Sequence, residues 1–207
     1  MRLTDKGIIR RLAYDDPKER IVIIPLLFPY AQLGSVAIDV HLGTEFRILE
    51  PSAEECFDPK MSELKFRHFS RSSRKTRKSH PNQAFILHPN ELVLASTLEW
   101  VRVPENLVAR LDGRSSWARL GLTVHFTAGD IQPGSYGMIT FELQTDGGVP
   151  FKLYPGMRIA QLQFYTLEDV PAESYKMKGK ARFRGQLGPS MGPYPDDLEL
   201  EILRDAS

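Results

Sequence analysis

The feature that most constrains this chain is a succession of short apolar runs, each cut off by glycine or proline. In "SVAIDVHLG" (35–43), Val36, Ile38, Val40 and Leu42 alternate onto one face, as a strand requires. Runs of the same kind follow at "QAFILH" (83–88), "ELVLASTLEWVRV" (91–103), "LTVHFTA" (122–128), "YGMITFELQT" (136–145) and "RIAQLQFYTL" (158–167). The turn signals "HPN", "PEN", "QPGSYG", "DGG" and "YPG" separate them. Short strands at close spacing predict an all-β sandwich or barrel with minor helices. One helix is expected over 4–13, where Thr4 is placed to cap and Ile8, Ile9 and Leu12 have helical spacing. The chain has 207 residues, enough to bury about two-thirds of its unfolded surface in one core. A β domain over 1–170 and a tail over 171–207 are expected. That tail, with "KMKGKARFRGQLGPSMGPYPDD", is Gly/Pro-rich and basic, then acidic. Such a tail is either disordered or ordered over an anionic ligand.

Several function classes find no support. The formal net charge is +1, so nothing global argues for a nucleic-acid or membrane partner. The run "IVIIPLLF" (21–28) is interrupted by Pro25, whereas a spanning helix needs about 20 apolar residues. "MRLTDKGIIRRL" carries no signal-peptide apolar region. Cys56 is the single cysteine, which fits a reducing compartment, so a cytoplasmic protein is expected. Residues 66–80, "FRHFSRSSRKTRKSH", hold basic residues and no acid. They read as a solvated loop, with a nucleic-acid patch as the alternative.

The common catalytic signatures are also missing. The histidines, His41, His68, His80, His88 and His125, have no H-x-x-x-H spacing, and one cysteine cannot complete a thiolate site. No G-x-S-x-G, Walker or G-x-G-x-x-G motif occurs. His125 is expected to be a satisfied core or interface residue. What stands out is "LDGRSSWARLG" (111–121), too polar for a buried strand and too poorly spaced for a helix face. Arg114, Ser115, Ser116 and Arg119 lie between Gly113 and Gly121. Guanidinium forks, hydroxyls and backbone N–H groups suit phosphate oxygens, though an ordinary surface loop has the same composition. Glu142 lies mid-strand between Phe141 and Leu143, on the face of Thr140 and Gln144. Carboxylates are depleted in strands, so it either faces solvent or lines a polar pocket suited to general acid–base work.

Taken in order, "SVAIDVHLGTEFRI", "GRSSWARLGLTVHFTAG", "PGSYGMITFEL", "LYPGMRIAQLQF" and "Y…ARFRGQ" resemble the dCTP deaminase branch of the dUTPase-like trimeric superfamily. The resemblance spans about residues 1 to 190. It implies a distorted β-barrel of jelly-roll type in a homotrimer with active sites between subunits. It implies a dCTP- or dUTP-type nucleotide carrying Mg²⁺ on its phosphates, and zinc-free deamination of cytosine. The zinc-deaminase signature H-x-E…P-C-x-x-C is absent as well. By position, Glu142 would activate water, with Ser115 and Arg119 holding that water and stabilising charge. Arg114 and Ser116 would meet phosphates. Trp117 and Ala118 belong to the same substrate-binding block. Backbone at Thr140 and Phe141 would read the base, and Tyr175, Arg182 and Gln186 would close over the triphosphate. The chain departs from the family pattern at Gln132, where an Asp is usual against the sugar 3′-OH. It also departs at Asp130, Thr145 and Arg182. Glutamine can bond a hydroxyl but cannot serve as a base, which weighs against a pure dUTPase. A bifunctional deaminase–diphosphatase or dUTPase giving dUMP and pyrophosphate, and a non-catalytic nucleotide- or nucleic-acid-binding relative, are the alternatives.

Overall fold

The computed structural model describes residues 1–49, 56–72, 74–173, 175, 183–192, 194 and 197–205. It opens with helix α1 (Asp5–Leu12), strand β1 (Val22–Ile24), a single turn α2 (Pro29–Gln32) and strands β2 (Ile38–His41) and β3 (Glu45–Leu49). Helix α3 (Glu63–Ser72) leads to β4 (Arg74–Lys78), β5 (Phe85–Leu87), β6 (Val93–Arg102) and β7 (Leu107–Gly113). After the turn α4 (Ser115–Ala118) come β8 (Leu122–Thr123), β9 (Asp130–Ile131), β10 (Tyr136–Thr145), β11 (Phe151–Leu153), β12 (Arg158–Thr166) and helix α5 (Leu198–Asp205).

The all-β expectation with minor helices holds. One sheet runs β4-β3-β6-β10-β8, with β1 pairing the far end of β6. A second runs β2-β12-β7-β9, and β11 pairs β5 separately. Long β6 and β10 form the spine, antiparallel, with Glu142 opposite Leu94 and Thr140 opposite Ser96. Alternation sends Phe141 and Leu143 into the core and leaves Thr140, Glu142 and Gln144 on the outer, half-buried face. Ile38, Val40, Ala109, Leu111, Leu162 and Phe164 approach from the second sheet, and all are buried. Phe46 stacks on Phe85 with ring centroids 4.2 Å apart. Each such buried side chain contributes about 1.5–3 kcal/mol.

Several local expectations are corrected. The strand expected over 122–128 stops after Thr123, because the chain turns to bring Val124 and Phe126 against Glu142. Thr4 occupies the N-cap of α1 but makes no side-chain capping bond. The basic run is not a bare loop: its first half lies in α3 and its second half is β4. Phe66 is 7 % exposed and anchors the helix inward. Among the described residues β4 is the sheet's edge, paired only with β3, and exposed Arg77 and Lys78 discourage a further strand from pairing there. The tail carries α5, which its composition did not announce. Among the described residues, no helix is long and apolar enough to cross a membrane.

A buried polar knot was also unforeseen. His41 Nδ1 lies 2.5 Å from Glu99 Oε1, with the two side chains 2 % and 0 % exposed. The His41 backbone N–H donates to Glu99 Oε2 at 2.9 Å, and Gln32 Nε2 donates to Glu99 Oε1 at 3.3 Å. A carboxylate in so dry a place is tolerable because these donors surround it.

Candidate active site

The polar stretch at 111–121 is organised by what precedes and follows it. β7 ends at Gly113, Arg114 is the N-cap residue and Ser115–Ala118 make one turn of helix. The expectation that this stretch was no helix is thus corrected, although a single turn needs no apolar face. Gly121 closes it at φ +94°, where a Cβ would lie 2.6 Å from the Gly147 nitrogen. Only glycine fits that crossing. β8 then pairs with the end of β10, Thr123 opposite Gln144. The turn α4 therefore stands at the Thr145 end of the strand that carries Glu142.

Glu142 is half-buried, and its backbone N–H donates to Val124 O at 3.0 Å. Its Oε2 accepts from the Phe126 backbone N–H at 2.9 Å. One carboxylate oxygen is thereby pinned, and Oε1 has no hydrogen-bond partner among the described residues. A carboxylate so held can accept a proton at a defined position.

Arg114 points back into the protein. Its Nε lies 3.0 Å from Asp39 Oδ2 and its Nη1 donates to Arg158 O at 2.9 Å. Trp117 Nε1 donates to the same carbonyl at 2.8 Å and its ring meets Phe151 edge-on. Arg158 Nη1 also reaches Asp39 Oδ2, at 3.3 Å. Burial pushes the Asp39 carboxyl above its ordinary value, against the lowering pull of Arg114, Arg158 and His41. Asp39 and Arg158 were not singled out in the sequence. A mid-strand carboxylate, the signal that singled out Glu142, was available at Asp39 too.

Ser115, Ser116, Ala118 and Arg119 are exposed, and Trp117 is half-buried. Among the described residues no hydrogen bond or ion pair joins Ser115 or Arg119 to Glu142. By contrast, the tail meets the Glu142 strand directly. Thr140 Oγ1 donates to Gln186 Oε1 at 3.0 Å, and Met138 N donates to Gln186 O at 2.8 Å. Gly137 and Gln186 form a parallel bridge. Tyr175 N donates to Pro133 O at 3.0 Å, and the Tyr175 hydroxyl accepts from Phe183 N at 2.9 Å. Gln132 is exposed at the turn before β10, where its carbonyl accepts from Ser135 N. Phe141 is fully buried and offers only its backbone. Arg182 lies outside the described residues. Asp130 is exposed on β9, opposite Arg110. His125, expected to be a satisfied core or interface residue, is half-buried, and its Nδ1 has no hydrogen-bond partner among the described residues.

Comparison with known proteins agrees with this architecture. Residues 3–167 match the family model described as dCTP deaminase-like. A dCTP deaminase, dUMP-forming, of Methanobrevibacter smithii is 39% identical over 201 residues, covering 96% of this chain and 98% of that one. A dCTP deaminase of Thermomicrobium roseum is 37% identical over 204 residues, covering 99% of each. The crystal structure of 2'-deoxycytidine 5'-triphosphate deaminase from Agrobacterium tumefaciens superposes with TM-score 0.58 at 19% identity, over 80% of this chain and 48% of that longer one. That likeness shows the fold; the family match over most of the chain shows more, and the chain belongs to the dCTP deaminase-like family.

Proposed function

We propose that the protein hydrolyses the 4-amino group of dCTP, giving dUTP and ammonia, with Glu142 moving the protons. The observation that carries this is a mid-strand carboxylate with one oxygen pinned by Phe126 N–H and the other without a partner among the described residues, on the strand that the tail overlies. Water would attack C4 of the cytosine as Glu142 takes its proton. The same proton is then delivered to the amino nitrogen, which leaves as ammonia, and the remaining hydroxyl proton passes to N3 as C4 becomes a carbonyl. Ser115 and Arg119 supply donors for the water and the developing charge, where fixed donors count most. In a homotrimer, the exposed Ser115–Arg119 face of one subunit would meet the Glu142 face of a neighbour. The exposure of Ser115 and Arg119, with no hydrogen bond or ion pair from either to Glu142 among the described residues, supports this reading. Thr140 and Phe141 backbone would read the base, Gln132 would bond the sugar hydroxyl, and Ser116, Tyr175, Arg182 and Gln186 would hold the triphosphate beneath the tail (171–207). Arg114 is tied to Asp39 in the single chain and would meet phosphate only on leaving that pair.

Mg²⁺ enters this reading with the nucleotide. Among the described residues no group of three His, Cys, Asp or Glu side chains is placed to hold a metal. The ion would therefore sit on phosphate oxygens, where it neutralises their charge, and the chain's part is to bind those phosphates. Deamination assigned to Glu142 needs no zinc. A cytoplasmic location is proposed with this function.

A second reading is a deaminase that continues to dUMP and pyrophosphate, as the name of the Methanobrevibacter smithii relative describes for that protein. Gln132 weighs against it because an amide cannot orient and deprotonate water as a carboxylate does. Asp130, exposed two residues earlier, is the group that could replace that carboxylate. Chromatography of the products from dCTP, CTP and dUTP separates these readings. dUTP from dCTP alone supports the first, and dUMP with pyrophosphate supports the second.

A further inference from the structure

The tail does not end at the residue that meets β10. Past Gln186 it crosses the outer face of the large sheet. Ser190 N donates to Thr140 Oγ1 at 3.4 Å, and a Cβ at Gly188 would lie 3.7 Å from the Glu45 carboxylate on β3. Pro189 between them is buried. The chain then reaches the segment before α3. The Tyr194 hydroxyl donates to Met61 O at 2.7 Å, and its ring meets Phe66 edge-on at 5.6 Å. α5 returns over the same place. Arg204 donates to Pro59 O at 2.9 Å and Lys60 O at 3.3 Å, and its guanidinium covers the Tyr194 ring at 4.5 Å.

From these contacts we infer that Tyr194 and Arg204 are positioning residues: they anchor the far end of a strap that holds Gln186 over the active site. The inference rests on the proposed role of Gln186 as a nucleotide contact. The physical case is one of loop closure. Gln186 itself is held by few bonds, all at the edge of β10, and a chain end so held frays readily. Fixing the segment on both sides of Gln186 lowers the entropy lost when the nucleotide orders it. The anchor is built from carbonyl acceptors, a guanidinium–ring contact and an aromatic cluster in which Phe66 meets both Tyr194 and Phe57, and Phe57 meets Phe69.

The test uses full-length Tyr194→Ala, Arg204→Ala, Tyr194→Phe and Gln186→Ala. Steady-state ammonia release from dCTP is measured beside amide exchange at Gly185 and Gln186 without nucleotide. Tyr194→Ala and Arg204→Ala are expected to raise KM about tenfold with little change in kcat, and to speed exchange at Gln186 by about tenfold. Tyr194→Phe keeps both rings in contact and should lie between them and the wild type. Unchanged exchange at Gln186 in both alanine variants would overturn the anchor. If Gln186→Ala leaves KM unchanged, the contact between Gln186 and the nucleotide fails instead, and the exchange data still decide whether the anchor exists.

Discussion

The backbone N–H of Phe126 donates to Oε2 of Glu142 at 2.9 Å. This bond ties the carboxylate of β10 to the turn that follows β8, and that turn descends from the polar stretch 111–121. The pinned oxygen fixes the group, and Oε1 has no hydrogen-bond partner among the described residues.

Replacing Glu142 by Gln keeps an oxygen to accept from Phe126 and removes the base. Thermal stability should stay within about 0.5 kcal/mol of the wild type. The rate of ammonia release should fall by about 10² to 10⁴. A near-normal rate would remove Glu142 from its role.

Arg119 and Ser115 are exposed, and among the described residues neither side chain makes a hydrogen bond or ion pair. Arg119→Ala and Ser115→Ala should therefore shift the urea midpoint very little. Both should lower kcat, Arg119→Ala by about 10² or more because it removes a charge-stabilising donor. Parallel losses of stability and rate would instead mark them as structural.

Gly137 sits at φ +132°, and a Cβ there would lie 2.7 Å from the Gln186 nitrogen. Gly137→Ala should cost about 1–3 kcal/mol in denaturant titration and loosen the tail. An unchanged midpoint would contradict the observed crossing.

Phe46 is fully buried and stacked on Phe85. Phe46→Ala should destabilise the fold by about 3–5 kcal/mol. Urea unfolding gives the value directly, and a loss under 1 kcal/mol would mean that the core is not packed as described.

The Asp39 carboxyl titrates above its ordinary value, first because of burial and despite Arg114, Arg158 and His41. A carboxyl raised in the folded state contributes stability in acid, and that contribution is lost as pH rises through the folded value. Measured from about pH 4 upward, the stability of the wild type relative to Asp39→Asn should fall. Parallel stability curves for the two proteins would contradict the assigned direction.

The parts of the molecule legible in the sequence are those where one physical rule acts alone. The alternation in "YGMITFELQT" predicts β10 and the outward face of Glu142, because one side of that strand must be buried. β7 escaped notice because Arg110 and Asp112 interrupt its apolar positions, and both lie on the partly accessible face. The basic run is a helix and an edge strand because Phe66 packs its first half inward and the ladder with β3 holds its second half. The Asp39–Arg114 pair joins residues 75 positions apart, and the His41–Glu99 pair joins residues 58 apart. No local pattern records such a meeting; only the sheet order brings each pair together.

The most direct test is ammonia release on incubating the purified protein with dCTP and Mg²⁺, with the nucleotide product identified by chromatography. The proposed function predicts ammonia and dUTP in equal amounts, with release by Glu142→Gln slower by about 10² to 10⁴. No ammonia from dCTP, or equal release by Glu142→Gln, would contradict it.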